Sequence, residues 1–199
     1  MHPNPAYRND DRSLHETLID QIGFGMIFAE TPDGPRVAHT PLLSTGDGAV
    51  QFHLARGNAL TRYLDQSNAL VLVNGPDAYV SPRWYDERGT VPTWDYVAIE
   101  LEGRVRRMNN EGLEALLHSL IEQHEGQLGG DQWTPQETPP DIWNKLIGAI
   151  AGFEMEILAW RPTMKLSQKK SAAERERIAD GLNRAGSPAI AELMRSLSK

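Results

Sequence analysis

Two Trp, three Tyr and three Pro crowd into one short charged stretch, residues 75–96 (GPDAYVSPRWYDERGTVPTWDY), in a chain whose aromatic content is only 7%. Rigid aromatic surface between strand-like runs suits a flat conjugated ligand or a partner subunit. β-arms also concentrate aromatics for packing alone. His39 and His53 lie on two runs that read as neighbouring strands. Each could hydrogen-bond a ligand or sit satisfied in a core, and a metal would need a carboxylate converging on both. Hydrolytic chemistry finds no support. Ser81 precedes Pro82 outside any G-x-S-x-G turn, and the HExxH, GxxxxGK[ST] and GxGxxG patterns are missing from the sequence. The absence of cysteine excludes disulfides, thiolate nucleophiles and cysteine-bound metal clusters.

The elements that must position these residues follow from the hydrophobic periodicity. Asp10 or Asp11 can cap a first helix through Leu14, Leu18, Ile19 and Ile22, which Gly23 ends. GFGMIFAE and RVAHTPLL read as strands joined at Asp33-Gly34, a hairpin signal, and Gly46-Asp47-Gly48 turns the chain into AVQFHLA. Asn58 is placed to cap a short helix carrying Leu60, Tyr63 and Leu64. ALVLVNG is a continuous apolar run, typical of a buried strand. After the aromatic stretch, Val97, Ile99, Leu101 and Val105 keep near-alternation, with Gly103 at a bulge or bend. Asn109 or Asn110 caps a helix through Leu113, Leu116, Leu117, Leu120 and Ile121, and Pro139-Pro140 start another. AGFEMEILAW is the last strand, which Pro162 is expected to stop, with Glu154 and Glu156 on a solvated face. Two helices follow, broken at Gly186-Ser187-Pro188. This order describes an α+β protein built on a mostly antiparallel β-barrel.

The 199 residues suffice for one sizeable core, with or without an appendage. No apolar run approaches the roughly 20 residues that span a bilayer, and the first residues lack the apolar middle of a secretory signal, so a cytoplasmic location is expected. A net charge of −7 argues against a surface coated for nucleic acid.

HTPLL (39–43), FHLARGN (52–58), GPDAYVSPRWY (75–85), VPTWDY (91–96), GF (152–153) and KLSQ (165–168) occur in the order seen in the PaiB family, described as FMN-binding negative transcriptional regulators, and the chain resembles that family over nearly its whole length. The resemblance implies a split β-barrel of Greek-key type, similar to the pyridoxamine-phosphate oxidase class, with peripheral helices. It implies pairing as a homodimer with FMN in clefts between subunits. The expected division is a barrel over 1–164 and a helical extension over 165–199 that packs on the barrel or on the partner.

FMN needs a site for a phosphate dianion and a slot for its ring. Arg, Lys, hydroxyls and backbone amides at a helix start serve the first. The resemblance therefore points to Ala55, Arg56 and Asn58, with Arg62 one turn further on, and to Lys165, Ser167 and Gln168; such barrels often carry a basic residue where this chain has Ala59 and Leu60. His39 and His53 could bond a flavin edge or the phosphate, and Thr40, Pro41 and Leu42 could present backbone groups to the ring because Pro41 interrupts strand pairing. Trp84, Tyr85, Trp94 and Tyr96 would wall the ring or build the dimer interface, with Thr93 and Trp94 the ligand contacts. The resemblance thus implies an FMN-binding protein acting as a flavin-dependent oxidoreductase or as a flavin-sensing regulator, and two further functions stay open. The basic residues of the tail and its paired helices superficially suggest a DNA-binding helix-turn-helix, although Glu and Arg alternate there as on an ordinary surface helix. Related split barrels also include haem proteins, which would need His39, His53, His118 or His124 at an open pocket.

Overall fold

The computed structural model describes residues 2–196. Helix α1 (Arg12–Ile22) buries Leu18 and Ile19, and Gly23 ends it at φ 62° with its N–H on the Ile19 carbonyl at 2.8 Å. Strands β1 (Phe24–Ala29) and β2 (Arg36–Ser44) form the expected hairpin, closed where Thr31 and Gly34 exchange backbone hydrogen bonds at 2.9 and 3.2 Å. Strand β3 (Ala49–Ala55) follows, then β4 (Asn68–Val80), β5 (Thr93–Arg107) and β6 (Ile150–Lys165). The six strands close into an antiparallel barrel in the order β1-β2-β3-β6-β5-β4. The fourth strand therefore lies beside the first, which is the Greek-key order. The α+β antiparallel barrel read from the sequence is the observed fold.

Period-2 alternation selects the barrel interior. Along β3 the buried residues are Val50, Phe52 and Leu54, and along the facing part of β6 they include Phe153 and Met155. Phe52 and Phe153 are direct partners across the two strands, their ring centroids 5.6 Å apart at 25°. Such offset aromatic pairs add about 0.5–1.5 kcal/mol beyond their buried area. At Gly103 the β5 and β6 backbones approach so closely that a Cβ would lie 2.9 Å from the Glu156 carbonyl carbon and closer still to its oxygen.

Helix α2 (Asn110–Leu128) starts at Asn109, whose side chain accepts the Gly112 N–H at 2.8 Å, and buries Leu113, Leu116 and Leu120. Helix α3 (Pro140–Gly148) follows the double proline. Helices α4 (Ala172–Arg184) and α5 (Pro188–Ser196) form the final pair, joined at Gly186, φ 86°. Ile178, Ala179 and Leu182 of α4 are buried with Ile190, Ala191 and Met194 of α5. Among the described residues no helix is long and apolar enough to cross a membrane.

Two local expectations need correction. Residues 56–63 form turns instead of a helix. The Asn58 side chain accepts the Leu60 N–H at 2.9 Å, a local bond that competes with helical hydrogen bonding. Pro162 does not stop β6, which continues to Lys165. The β3 ladder on β6 ends at Glu156, so the missing proline N–H falls beyond it and costs that ladder nothing.

The chain forms two compact units. One comprises Arg12–Val73 and Glu100–Trp160; the other comprises Met1–Asp11, Asn74–Ile99 and Arg161–Lys199. The candidate site residues divide between them.

Candidate functional site

The first group belongs to the unit that holds β1–β3. Thr40 and Leu42 point inward and are buried, which leaves His39 and Pro41 on the other face of β2. Pro41 has no N–H to give, and the β2–β3 ladder begins only at Leu42. The Thr40 hydroxyl donates instead to the His53 carbonyl at 2.6 Å. His39 is exposed and stacks on the half-exposed Phe24 ring, with centroids 6.5 Å apart. His53, half-buried, has a buried Nδ1 without a hydrogen-bond partner, and burial lowers its pKa below 6.5. The imidazole is therefore neutral at pH 7.

Ala55 ends β3 exposed. Arg56 anchors the end of α3, its Nε donating to the Gly148 carbonyl at 2.7 Å and its backbone N–H to Ala149 at 2.9 Å. A guanidinium at a helix C-terminus complements both the unpaired carbonyls and the helix dipole. Asn58 uses its side chain on its own turn.

The second group lies in the other unit, where residues far apart in sequence converge. Lys165 Nζ donates to Thr93 Oγ1, and to the Trp94 carbonyl at 2.5 Å. The Ser167 hydroxyl donates to Asp95 Oδ2 at 2.6 Å. Gln168 ties the loop that carries them, its Oε1 accepting the Leu166 N–H at 2.8 Å and its Nε2 donating to the Met164 carbonyl. Ser167 sits at φ 56°, in the left-handed region that side chains disfavour. Thr93, Trp94, Lys165, Ser167 and Gln168 thus form one connected cluster.

Trp94 itself is 51% exposed, its Nε1 donating to Asp77 Oδ1 at 2.9 Å, and Tyr79, also about half exposed, meets it edge-on at 6.3 Å. Trp84 and Tyr85 are spent on packing. Tyr85 is buried, with the Lys170 ammonium 4.0 Å above its ring, and α4 crosses Trp84 at Gly181, where any Cβ would intrude on the indole.

Asp95 was not among the residues singled out from the sequence. It is fully buried, and burial raises its pKa above 3.8 against the opposing pull of Ser167 and Lys165. The signal was present, because Asp95 is in phase with Val97, Ile99 and Leu101, the inward positions of β5.

Two polar clefts, of about 390 and about 530 Å³, share Arg106 and Glu154 and contain none of the candidate site residues. Glu154 is not simply solvated: it accepts from Gln51 Nε2 at 2.7 Å and from Arg106 Nε at 3.0 Å. The helical histidines are engaged with neighbours. His118 meets Trp143 edge-on at 5.8 Å, and His124 lies where a Cβ on Gly23 would be 2.8 Å from its ring. Among the described residues no group of three or more His, Asp or Glu could hold a metal ion.

Residues 1–159 match the family model described as "Putative FMN-binding domain". The chain belongs to this family. FMN is the cofactor of the domain it carries, and the PaiB resemblance holds at the level of whole sequences. The Bacillus subtilis (strain 168) protein "Protease synthase and sporulation protein PAI 2" is 27% identical over 184 residues, covering 89% of this chain and 88% of that protein. Among solved structures, a FAD and heme binding protein from Mycobacterium smegmatis superposes with a TM-score of 0.60 at 15% identity, over 84% of this chain and 77% of the other. The flavocytochrome Anf3 from Azotobacter vinelandii gives 0.62 at 13% identity, over 83% and 72%. At such identities the likeness speaks for the fold. Thr93 and Trp94 fall inside the family match, whereas Lys165, Ser167 and Gln168 lie beyond it.

Proposed function

We propose that the protein is an FMN-dependent oxidoreductase of the PaiB type, working as a homodimer in the cytoplasm, with Thr93, Trp94 and Lys165 contributing to its cofactor site. One observation carries this reading: the Lys165 ammonium bonds both the Thr93 hydroxyl and the backbone carbonyl of Trp94, whose side chain is about half exposed. That donor set fits FMN, since Trp94 and Tyr79 offer flat apolar surface for the ring and Lys165 with Thr93 offers charge and a hydroxyl for the phosphate. When bound, the flavin supplies hydride or single-electron transfer, and the protein supplies orientation and electrostatics. Ser167 and Gln168 complete the proposed group in that unit, and His39, Thr40, Pro41, Leu42, His53, Ala55, Arg56 and Asn58 of the other unit are proposed as ligand contacts in their own right. Of these, His53 offers an unpartnered Nδ1, while Arg56 and Asn58 would act with groups already partly engaged.

The alternative, direct DNA binding through α4 and α5, is opposed by how the tail's charges are spent. Arg195 of α5 bonds both Glu176 and Asp180 of α4, at 2.8 and 2.7 Å. Lys170 pairs with Glu174, and Arg177 with Asp86. A second helix whose arginine is neutralised by its own hairpin has little left for phosphates.

Equilibrium titration with FMN tests the reading. The wild-type protein takes up the flavin, Lys165→Met and Trp94→Ala weaken it at least tenfold, and NAD(P)H or a chemical reductant bleaches the bound flavin. Unchanged affinity in both variants would remove these residues from the site. A gel shift with operator DNA that weakens steeply with salt would instead restore the DNA-binding alternative.

A further inference from the structure

Asp95 is the buried acid that the cofactor reading leaves without a task. Its Oδ2 accepts from Ser167, while Oδ1, also buried, accepts no hydrogen bond. The cation facing Oδ1 is Lys165, at 3.9 Å, beyond hydrogen-bonding distance. Two of that ammonium's three protons are already directed to Thr93 Oγ1 and the Trp94 carbonyl. Among the described residues, the Asp95 charge also acts on Tyr7, from the N-terminal segment, and on Tyr85, after the 3-10 turn at Pro82–Trp84. Both phenols are held neutral, by burial first and by the Asp95 charge second. Glu174, paired with Lys170, and the phenols of Tyr79 and Tyr7 also act electrostatically on Tyr85.

We infer that Asp95 is a positioning residue whose proton decides where the Lys165 ammonium points: onto the Thr93–Trp94 segment when Asp95 is neutral, onto Asp95 when it is ionised. The reason is the cost of a bare buried carboxylate oxygen. A full charge on Oδ1 with no donor is far more costly than moving a flexible ammonium by about an ångström to a charge-assisted distance of roughly 2.8 Å. The move takes Lys165 off Thr93 or Trp94 and uses its charge internally. With Asp95 protonated the same charge serves the surface where Trp94 is exposed. An anion that engages Lys165 there competes with Asp95 for it, so binding the anion favours the proton on Asp95. Affinity accordingly falls as pH rises through the Asp95 pKa, which lies above 3.8. This inference rests on the proposed cofactor site only for the identity of the anion.

The experiment has one arm without flavin and one with it. In the first, the pH dependence of fluorescence is recorded for wild type and Trp94→Phe, and the difference isolates Trp94 from the other four tryptophans. A single transition above pH 3.8 is expected, absent in Asp95→Asn, where the introduced amide can still bond Ser167, and absent in Lys165→Met, where no ammonium can move. In the second, the FMN dissociation constant is measured against pH for wild type and Asp95→Asn, and their ratio cancels the ionisation of the phosphate itself. That ratio is expected to rise by up to tenfold per pH unit, the limit for one linked proton. A Trp94 transition that survives in Asp95→Asn or Lys165→Met, or is missing from wild type, overturns the inference, as does a flat ratio with FMN bound. A Trp94 transition that behaves as expected in a protein that takes up no FMN sinks the cofactor reading and leaves the role of Asp95 standing.

Discussion

Gly103→Ala is the sharpest test of how the barrel closes. The new Cβ would stand 2.9 Å from both the Glu156 carbonyl carbon and Met155 Cγ, and closer still to the Glu156 oxygen. Carbon atoms in contact prefer about 3.5–4.0 Å, and the nearest obstacle is backbone, which cannot swing aside. Relief requires β5 and β6 to part locally by about an ångström. Overpacking of this kind costs about 1–3 kcal/mol, and a weakened ladder hydrogen bond adds about 0.5–1.5 kcal/mol. The lower chain entropy of alanine in the unfolded state returns about 0.4–1 kcal/mol. The net destabilisation is about 1–3.5 kcal/mol, which for a chain of this size lowers Tm by roughly 2–14 °C. Scanning calorimetry or near-UV circular dichroism on heating reads it directly. Gly126→Ala is the matched control, because beyond its chain neighbours and its own helix backbone that glycine has no atom within 4 Å of its would-be Cβ. Its Tm should rise slightly, through helix propensity. A Gly103→Ala protein that melts within a degree of wild type would refute the close approach of the two strands.

Asn109→Ala removes the cap of α2 and should cost about 1 kcal/mol in urea unfolding, without changing the m-value. His53 carries a pH signature. Burial depresses its pKa below 6.5, so the unfolded chain binds the extra proton as pH falls. Its contribution is complete above pH 6.5 and is lost as pH drops toward the folded-state pKa. Urea midpoints measured from pH 7.5 down to pH 5 should therefore fall less in His53→Gln than in wild type, and equal slopes would contradict a desolvated imidazole.

Much of the fold was legible because its signals are local. Gly23 stops α1, Asp33-Gly34 turns the first hairpin, Asn109 caps α2, and Gly186 breaks the final helices, each through backbone chemistry confined to a few residues. Expectations missed where a local signal met a competing one. Asn58 resembles a helix cap, but its side chain closes a turn. Pro162 resembles a strand end, but it lies beyond Glu156, where the pairing of β6 with β3 ends. The site was legible as a set of residue types and not as an arrangement. Nothing in the spacing says that Lys165 reaches back 72 residues to Thr93, or that Asp95 is what Ser167 and Lys165 gather around. The aromatic arm shows the same limit: composition marks the whole stretch, whereas packing covers Trp84 and Tyr85 and leaves Tyr79 and Trp94 exposed.

The proposed function requires that this barrel bind and use FMN. The absorption spectrum of the purified, folded protein, followed by titration with FMN, tests it most directly. Flavin bands in the protein as isolated, or saturable uptake approaching one FMN per chain, is the predicted result. A folded protein that takes up no FMN, or that carries a Soret band from haem in its place, would contradict it.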